Sequence, residues 1–213
     1  MDLAVVADGV GGAPAGHIAS HLAVQQIEDY VTTREHGAAP LSTLHDAVTL
    51  ANDAINKRAR QDRSVRGMST TVVACLLTKE RVFVSHVGDS RAYLITPTEI
   101  TRLTKDHSLV AELLSSGRIT PKEARDYPYR HVITRALGIA VRTHVELGSF
   151  SWARGRNLLL CTDGLTEAVE DQIIHTVVTN KAHDLQRKCA RLVELANAEG
   201  GLDNVTVVLA QNT

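Results

Sequence analysis

A chain of 213 residues is long enough for one domain with a sizeable core. Its 44 % hydrophobic and 22 % charged residues are ordinary for a soluble globular protein. A net charge of −1 and 3 % aromatic residues argue against nucleic acid or an anionic membrane as partner, since both need a basic patch and the former often needs stacking platforms.

In chain order, "LAVVADG" (Leu3 to Gly9) reads as a strand opening into a turn. Helical patterning follows from Ala15 to Thr33 and breaks at "REHGAAP". Leu44, Val48, Ala51 and Ile55 then recur at helical spacing, which predicts an amphipathic helix to about Arg60 with a solvated, charged end. From Ser69 the residues become β-branched and turn-punctuated: "STTVVACLLT", "RVFVSHVG", "RAYLIT" and "ITRLT" predict an antiparallel meander. Leu109 to Ala124 is helical in pattern but interrupted by Gly117 and Pro121, so a mobile excursion is expected there. "THVELGSF" and "RNLLLCTDG" are strand-like. One helix is expected at Asp171 to Thr179, and another with Leu185, Cys189, Leu192 and Ala196 on one face. "DNVTVVLAQ" closes the chain as a strand. Strands and helices come in blocks, which predicts an α+β fold of antiparallel sheets covered by helices.

Cys75, Cys161 and Cys189 share no CxxC spacing and are odd in number, which points to a reducing cytosol rather than a disulfide framework. No apolar run reaches the ~18 residues of a spanning helix, and Met1 is followed by Asp2 rather than a basic signal start. A cytoplasmic protein is the expectation.

Chemistry concentrates in Asp8, Asp89 and Asp163, which end apolar strands, and in Asp203, which begins one. Singly, each Asp-Gly or Asp-Asn reads as turn chemistry. If the strand ends converge, two carboxylates about 4 Å apart repel by roughly 4 kcal/mol at an effective dielectric of about 20. Several such pairs would rival the whole ~5–15 kcal/mol stability of a domain. Either the ends stay apart or cations sit among them, and oxygen-only donors select Mg²⁺ or Mn²⁺. His17 and His21 lack the Glu of a HExxH helix and read as exposed helix residues.

"ADGVGG", "GMSTT", "HVGDSRAY", "LTKDHS", "LLLCTDGLTE" and "GLDNVTVV" occur in this order over nearly the whole chain. In them the sequence resembles the metal-dependent serine/threonine protein phosphatases (PPM, type 2C) in their compact bacterial form. The resemblance implies an α+β fold: an antiparallel β-sandwich flanked by helices, one phosphatase domain over residues 1–213 with a flap at 108–130. It implies Mn²⁺ or Mg²⁺ as cofactor, two ions with a third, weaker one. Asp8 would bridge the two ions, the Gly9 carbonyl would serve the second, and Asp163 and Asp203 the first; Asp89 with Asp163 would hold the third. Ions at Asp8, Asp163 and Asp203 would deliver a bridging hydroxide to phosphorus in phosphoserine or phosphothreonine. His107 and Ser108 would stand on the substrate side of the flap. His107 is expected to order the flap base and His86 to pack behind the Asp89 turn. Phosphoprotein substrates and an opposing kinase are the implied partners, and a monomer the implied state.

The family pattern also has two strands ahead of the Asp8 strand, with a phosphate-gripping arginine and an N-x-D-like element. Met1 stands seven residues before Asp8, so the chain as given lacks both. Val10 replaces a histidine common in eukaryotic members. Rival readings are a cysteine-dependent phosphatase built on Cys75 and Arg81, a phosphate-cradling "DGVGG" loop, and a non-catalytic phosphoprotein-binding regulator. The Cys75 stretch lacks the glycines of a thiolate cradle.

Overall fold

The computed structural model describes residues 1–10, 15–34 and 38–213. Two four-stranded antiparallel sheets face each other. The first runs β1 (Asp2–Val6), β2 (Val72–Leu77), β3 (Arg81–Val87), β6 (Glu146–Ser151); the second runs β5 (Ile100–Arg102), β4 (Arg91–Ile95), β7 (Asn157–Cys161), β8 (Val207–Gln211). Two helices, α1 (Gly16–Thr33) and α2 (Pro40–Gln61), cover the first sheet, and α6 (Asp171–Thr179) with α7 (Leu185–Ala198) the second.

The continuous apolar runs of β2 and β7 follow from this layering, because each strand is buried on both faces. Val73, Cys75 and Leu77 of β2 meet Leu158 and Leu160 of β7 between the sheets. Val72, Ala74 and Leu76 turn to α1 and α2, while Leu159 and Cys161 turn to α6 and α7. Period-two alternation thus feeds two different apolar layers. The α2 stripe Leu44, Val48, Ala51, Ile55 is fully buried as its spacing predicts. On α7 the buried line is Lys188, Leu192 and Ala196, with Leu185 and Cys189 at its margins; the aliphatic stem of Lys188 does the covering. Trp152 and Tyr93 are buried packing residues, and His17 and His21 are exposed.

Two expectations need correction. The predicted meander is split: β2 and β3 pair in one sheet, whereas β4 and β5 pair in the other. The chain crosses between sheets at Gly88–Ser90, which puts Asp89 at the end of the sandwich. Asp203 does not begin a strand either; it lies in an exposed loop four residues ahead of β8. The interruption expected in the middle region is present: α3 (Leu109–Ser115) and α4 (Pro121–Arg125) are short, contain no buried residue, and are separated at Gly117, whose φ is 69°. The "DGVGG" loop reading falls partly outside the described residues, of which Val10 is the last before residue 15.

Candidate metal centre

Asp8 lies two residues beyond β1, and its main chain is held from three sides. Its N–H donates to Thr71 Oγ1 at 3.1 Å, while its carbonyl accepts from the Thr71 N–H at 2.8 Å and from Thr70 Oγ1 at 2.7 Å. Gly9 continues this bridge to Thr70. Its backbone lies so close to Gly16 that a Cβ would sit 2.3 Å from the Gly16 carbonyl carbon, so only glycine fits. Thr71 Oγ1 also shares a 2.7 Å hydrogen bond with Ser90 Oγ, which couples the Asp8 turn to the Asp89 turn across the two sheets.

Asp163 starts a one-turn helix, α5 (Asp163–Thr166), directly after β7. Thr162 Oγ1 donates to the Asn204 carbonyl at 3.2 Å and accepts from the Thr206 N–H at 3.1 Å. These bonds draw the Asp203 loop against the Asp163 strand end. A Cβ on Gly164 would lie 2.3 Å from the Asn204 carbonyl oxygen, so glycine permits the approach. The Asn204 N–H donates back to Asp203 Oδ1 at 2.7 Å.

The four carboxylates predicted to converge do act on one another. Burial, then the charges of Asp163, Asp203 and Asp89, push Asp8 up to about 8. Burial, then Asp163 and Asp106, push Asp89 up to about 7 against the pull of Arg91. Asp163 is raised by burial and by Asp203, while a protonated Asp8 beside it holds it down. Asp163 Oδ1 is buried with no hydrogen-bond partner. An orphaned carboxylate oxygen amid like charges is costly unless a cation satisfies it. The donor set is oxygen only, so it fits hard divalent ions such as Mn²⁺ or Mg²⁺.

Beside the carboxylates opens a cleft of about 1100 Å³. Asp89 and Asp163 line it together with residues of α3 and α4. Within it Asp106 takes a bidentate grip from Arg91 (2.7 Å and 3.1 Å) and a further contact from Arg102 at 3.2 Å. His131, at the end of the α3–α4 segment, pairs with Glu167 after α5 at 2.8 Å.

Ser108 lines this cleft and caps α3 by accepting from the Ala111 N–H at 3.3 Å. His107 does not stand on the substrate side. It is buried and stacked on His86 at 4.9 Å between centroids, because hydrogen bonds with both main-chain groups of Gly88 hold it there. Its carbonyl accepts from Thr134 at 2.8 Å, so it does order the base of the α3–α4 segment. His86, His107 and Glu146 also bring three donor atoms within 4.8 Å of one another. One nitrogen of each ring already serves the protein: His107 Nδ1 accepts from Gly88, and His86 Nε2 meets the Lys105 carbonyl at 2.9 Å. Glu146 Oε1 lies 3.0 Å from His107 Nε2 but off the N–H axis, a charge contact rather than an aligned hydrogen bond.

Thr70, Thr71, Thr162, Arg135 and Glu146 escaped the sequence reading as positioning residues. The "GMSTT" motif carries Thr70 and Thr71 but reads equally as a strand start, and the others carry no local signature. Cys75 is fully buried in β2 with its thiol pushed up by burial, which removes the cysteine-nucleophile reading.

Comparison with known proteins agrees with this geometry. The family model described as Protein phosphatase 2C matches residues 1–209. The serine/threonine phosphatase stp of Listeria monocytogenes is 35 % identical over 212 residues, 98 % of this chain and 84 % of the relative. The crystal structure of serine/threonine phosphatase Stp1 from Staphylococcus aureus superposes with a TM-score of 0.93 at 32 % identity, covering 98 % of this chain and 83 % of that one. The catalytic domain of the phosphatase PstP in complex with two manganese ions gives a TM-score of 0.87 at 36 % identity, covering 98 % and 86 %. A carboxylate cluster fit for divalent ions at the end of a two-sheet sandwich and a match across nearly every residue agree: the chain belongs to the protein phosphatase 2C family.

Proposed function

We propose that this chain hydrolyses phosphoserine and phosphothreonine in proteins with the help of Mn²⁺ or Mg²⁺. The observation that carries the reading is that Asp8 and Asp89 are raised by burial and by the charges of neighbouring aspartates, Asp163 and Asp203 among them, while Asp163 Oδ1 is buried without a partner. Asp8, the Gly9 carbonyl, Asp163 and Asp203 would hold two ions, and Asp89 with Asp163 a third. Bound there, divalent ions supply Lewis-acid neutralisation of the phosphoryl oxygens and acidify water. The protein's own part is to fix those donors. Thr70 and Thr71 clamp Asp8, Thr162 ties Asp163 to the Asp203 loop, and Ser90 links the Asp8 and Asp89 turns. Arg91 is committed to Asp106 and so is not free to grip a phosphate.

Residues 1–213 form one phosphatase domain in this reading, with 108–130 as the flap that lines the cleft. A cytoplasmic monomer acting opposite a serine/threonine kinase fits the free cysteines and the lack, among the described residues, of a helix long and apolar enough to cross a membrane. The non-catalytic alternative is disfavoured because a pure binding module has no need to tolerate four mutually repelling carboxylates. Hydrolysis of a phosphothreonine peptide should require millimolar Mn²⁺ or Mg²⁺. It should fall by more than about 100-fold in Asp163→Ala, since losing even a group that only supports a ligand costs about 10–100-fold. Undiminished turnover in that variant, or in EDTA, sinks the proposal.

A further inference from the structure

We infer that the cleft beside the carboxylates holds a subsite for acidic residues flanking the phosphorylated side chain, read by Lys105, Arg125 and Arg130. The inference rests on the hydrolase reading and goes further, to the class of phosphoprotein preferred. Every charged side chain that residues 108–130 contribute to the cleft is an arginine, Arg125 and Arg130. Lys105 joins them from the loop after β5. The flap's acids are turned to other uses or other directions. Glu123 closes the capping box of α4 with Thr120 at 2.7 Å, and neither Glu112 nor Asp126 lines the cleft.

Compensation separates these three cations from the rest. Arg91 and Arg102 are neutralised by Asp106, whereas no carboxylate among the described residues lies within 4.0 Å of Lys105, Arg125 or Arg130. Of the acids that line the cleft after α5, Glu167 is paired with His131, and Asp171 accepts from the Tyr93 hydroxyl at 3.2 Å; Glu170 stays an uncompensated acid there. The free charges of the cleft therefore divide by chain segment, cationic on residues 105–130 and acidic on the segment that opens α6. Val110, Leu114 and Ala124 give it an apolar strip along which a peptide backbone can lie. With the phosphate directed to the carboxylates, a neighbouring Asp or Glu meets the free cations, and a neighbouring Lys or Arg forfeits that contact.

The test compares kcat/KM of the Mn²⁺-loaded full chain on three phosphothreonine peptides that share one frame and carry Glu, Gln or Lys beside the phosphoresidue. Exposed ion pairs predict about a three- to tenfold preference for the Glu over the Lys peptide, shrinking as salt is raised. Arg125→Ala combined with Arg130→Ala should bring that ratio close to one. Arg125→Glu combined with Arg130→Glu should invert it toward the Lys peptide, a gain that misfolding cannot produce. Equal rates on all three peptides alongside normal p-nitrophenyl phosphate turnover overturn the subsite alone, as does a preference that survives charge reversal. Absence of p-nitrophenyl phosphate turnover in the unsubstituted chain overturns the hydrolase reading and the subsite with it.

Discussion

His107 clasps Gly88 in both directions: its Nδ1 accepts the Gly88 N–H at 3.0 Å, and its own N–H donates to the Gly88 carbonyl at 3.0 Å. Gly88 adopts φ 111°, and the next residue is Asp89. The imidazole is steadied in turn by Glu146 at 3.0 Å, to which Arg135 also reaches at 3.4 Å. His107 is thus a positioning residue for Asp89, acting through the turn and touching no substrate.

His107→Ala should raise the Mn²⁺ concentration needed for half-maximal activity by about 10-fold or more, the usual cost of removing a group that orients a ligand. His107→Asn keeps an acceptor near Gly88 and should recover part of the loss. Asp89→Ala should give the same shift while the tighter ions remain bound. If isothermal titration finds the weaker Mn²⁺ site unchanged in His107→Ala, the clasp is only structural.

Gly164 is the point where the Asp163 and Asp203 segments touch. Gly164→Ala places a methyl 2.3 Å from the Asn204 carbonyl oxygen, backbone that cannot give way cheaply. The Asp203 loop should be pushed off, lowering Mn²⁺ affinity by about 10–100-fold with only a modest fall in melting temperature. Unaltered affinity would show that Asp203 contributes nothing to ion binding.

The order of elements could be read from the chain because β2, β7 and α2 each carry a clear period: alternation into two apolar layers, or the Leu44-to-Ile55 stripe. Periodicity says nothing about partners, however. "RVFVSHVG" and "RAYLIT" look like consecutive hairpin strands, and only the packing of Val84 and Leu94 from opposite sides of the same layer shows that they belong to different sheets. The acidic candidates stood out less as single aspartates, each of which reads as a turn, than through the ordered motifs that carry all four. Their supports did not stand out, since Thr71, Thr162 and His107 act through hydrogen bonds to main-chain groups 63, 42 and 19 residues away.

Asn52 is a further residue whose role no local pattern shows. Only 1 % exposed on α2, it accepts the Gly138 N–H at 2.9 Å and donates to the carbonyls of Ala140 and Val141 at 3.2 and 3.1 Å. Asn52→Ala strands these groups and should destabilise the fold by about 1–3 kcal/mol in urea unfolding. Because Leu137, two residues beyond Arg135, pairs with Thr70, a loosened 137–141 loop should also weaken the Asp8 clamp. A wild-type unfolding midpoint would rule this out.

Divalent ions should stabilise the protein most at alkaline pH. Without them, Asp8 and Asp89 titrate near 8 and 7 in the folded chain, against 3.8 for an ordinary aspartate. The folded protein then holds protons that the unfolded chain has released, so their contribution is full below about pH 4 and is lost as pH rises through 7 and 8. His86 and His107 are lowered from 6.5 chiefly by burial, and their contribution grows with pH up to about that value. The carboxylates therefore dominate between about pH 7 and 8, below the ordinary thiol value of about 8.5. In EDTA, with screening of this partly open cluster allowed for, the melting temperature should fall by on the order of 2–4 °C per pH unit across that window. Ions take the place of those protons, so the rise in melting temperature on adding Mn²⁺ should widen from pH 7 to 8, and the widening should shrink in Asp8→Asn. A Mn²⁺ effect that is constant or narrows with pH would mean that the four carboxylates do not share one ion-binding space.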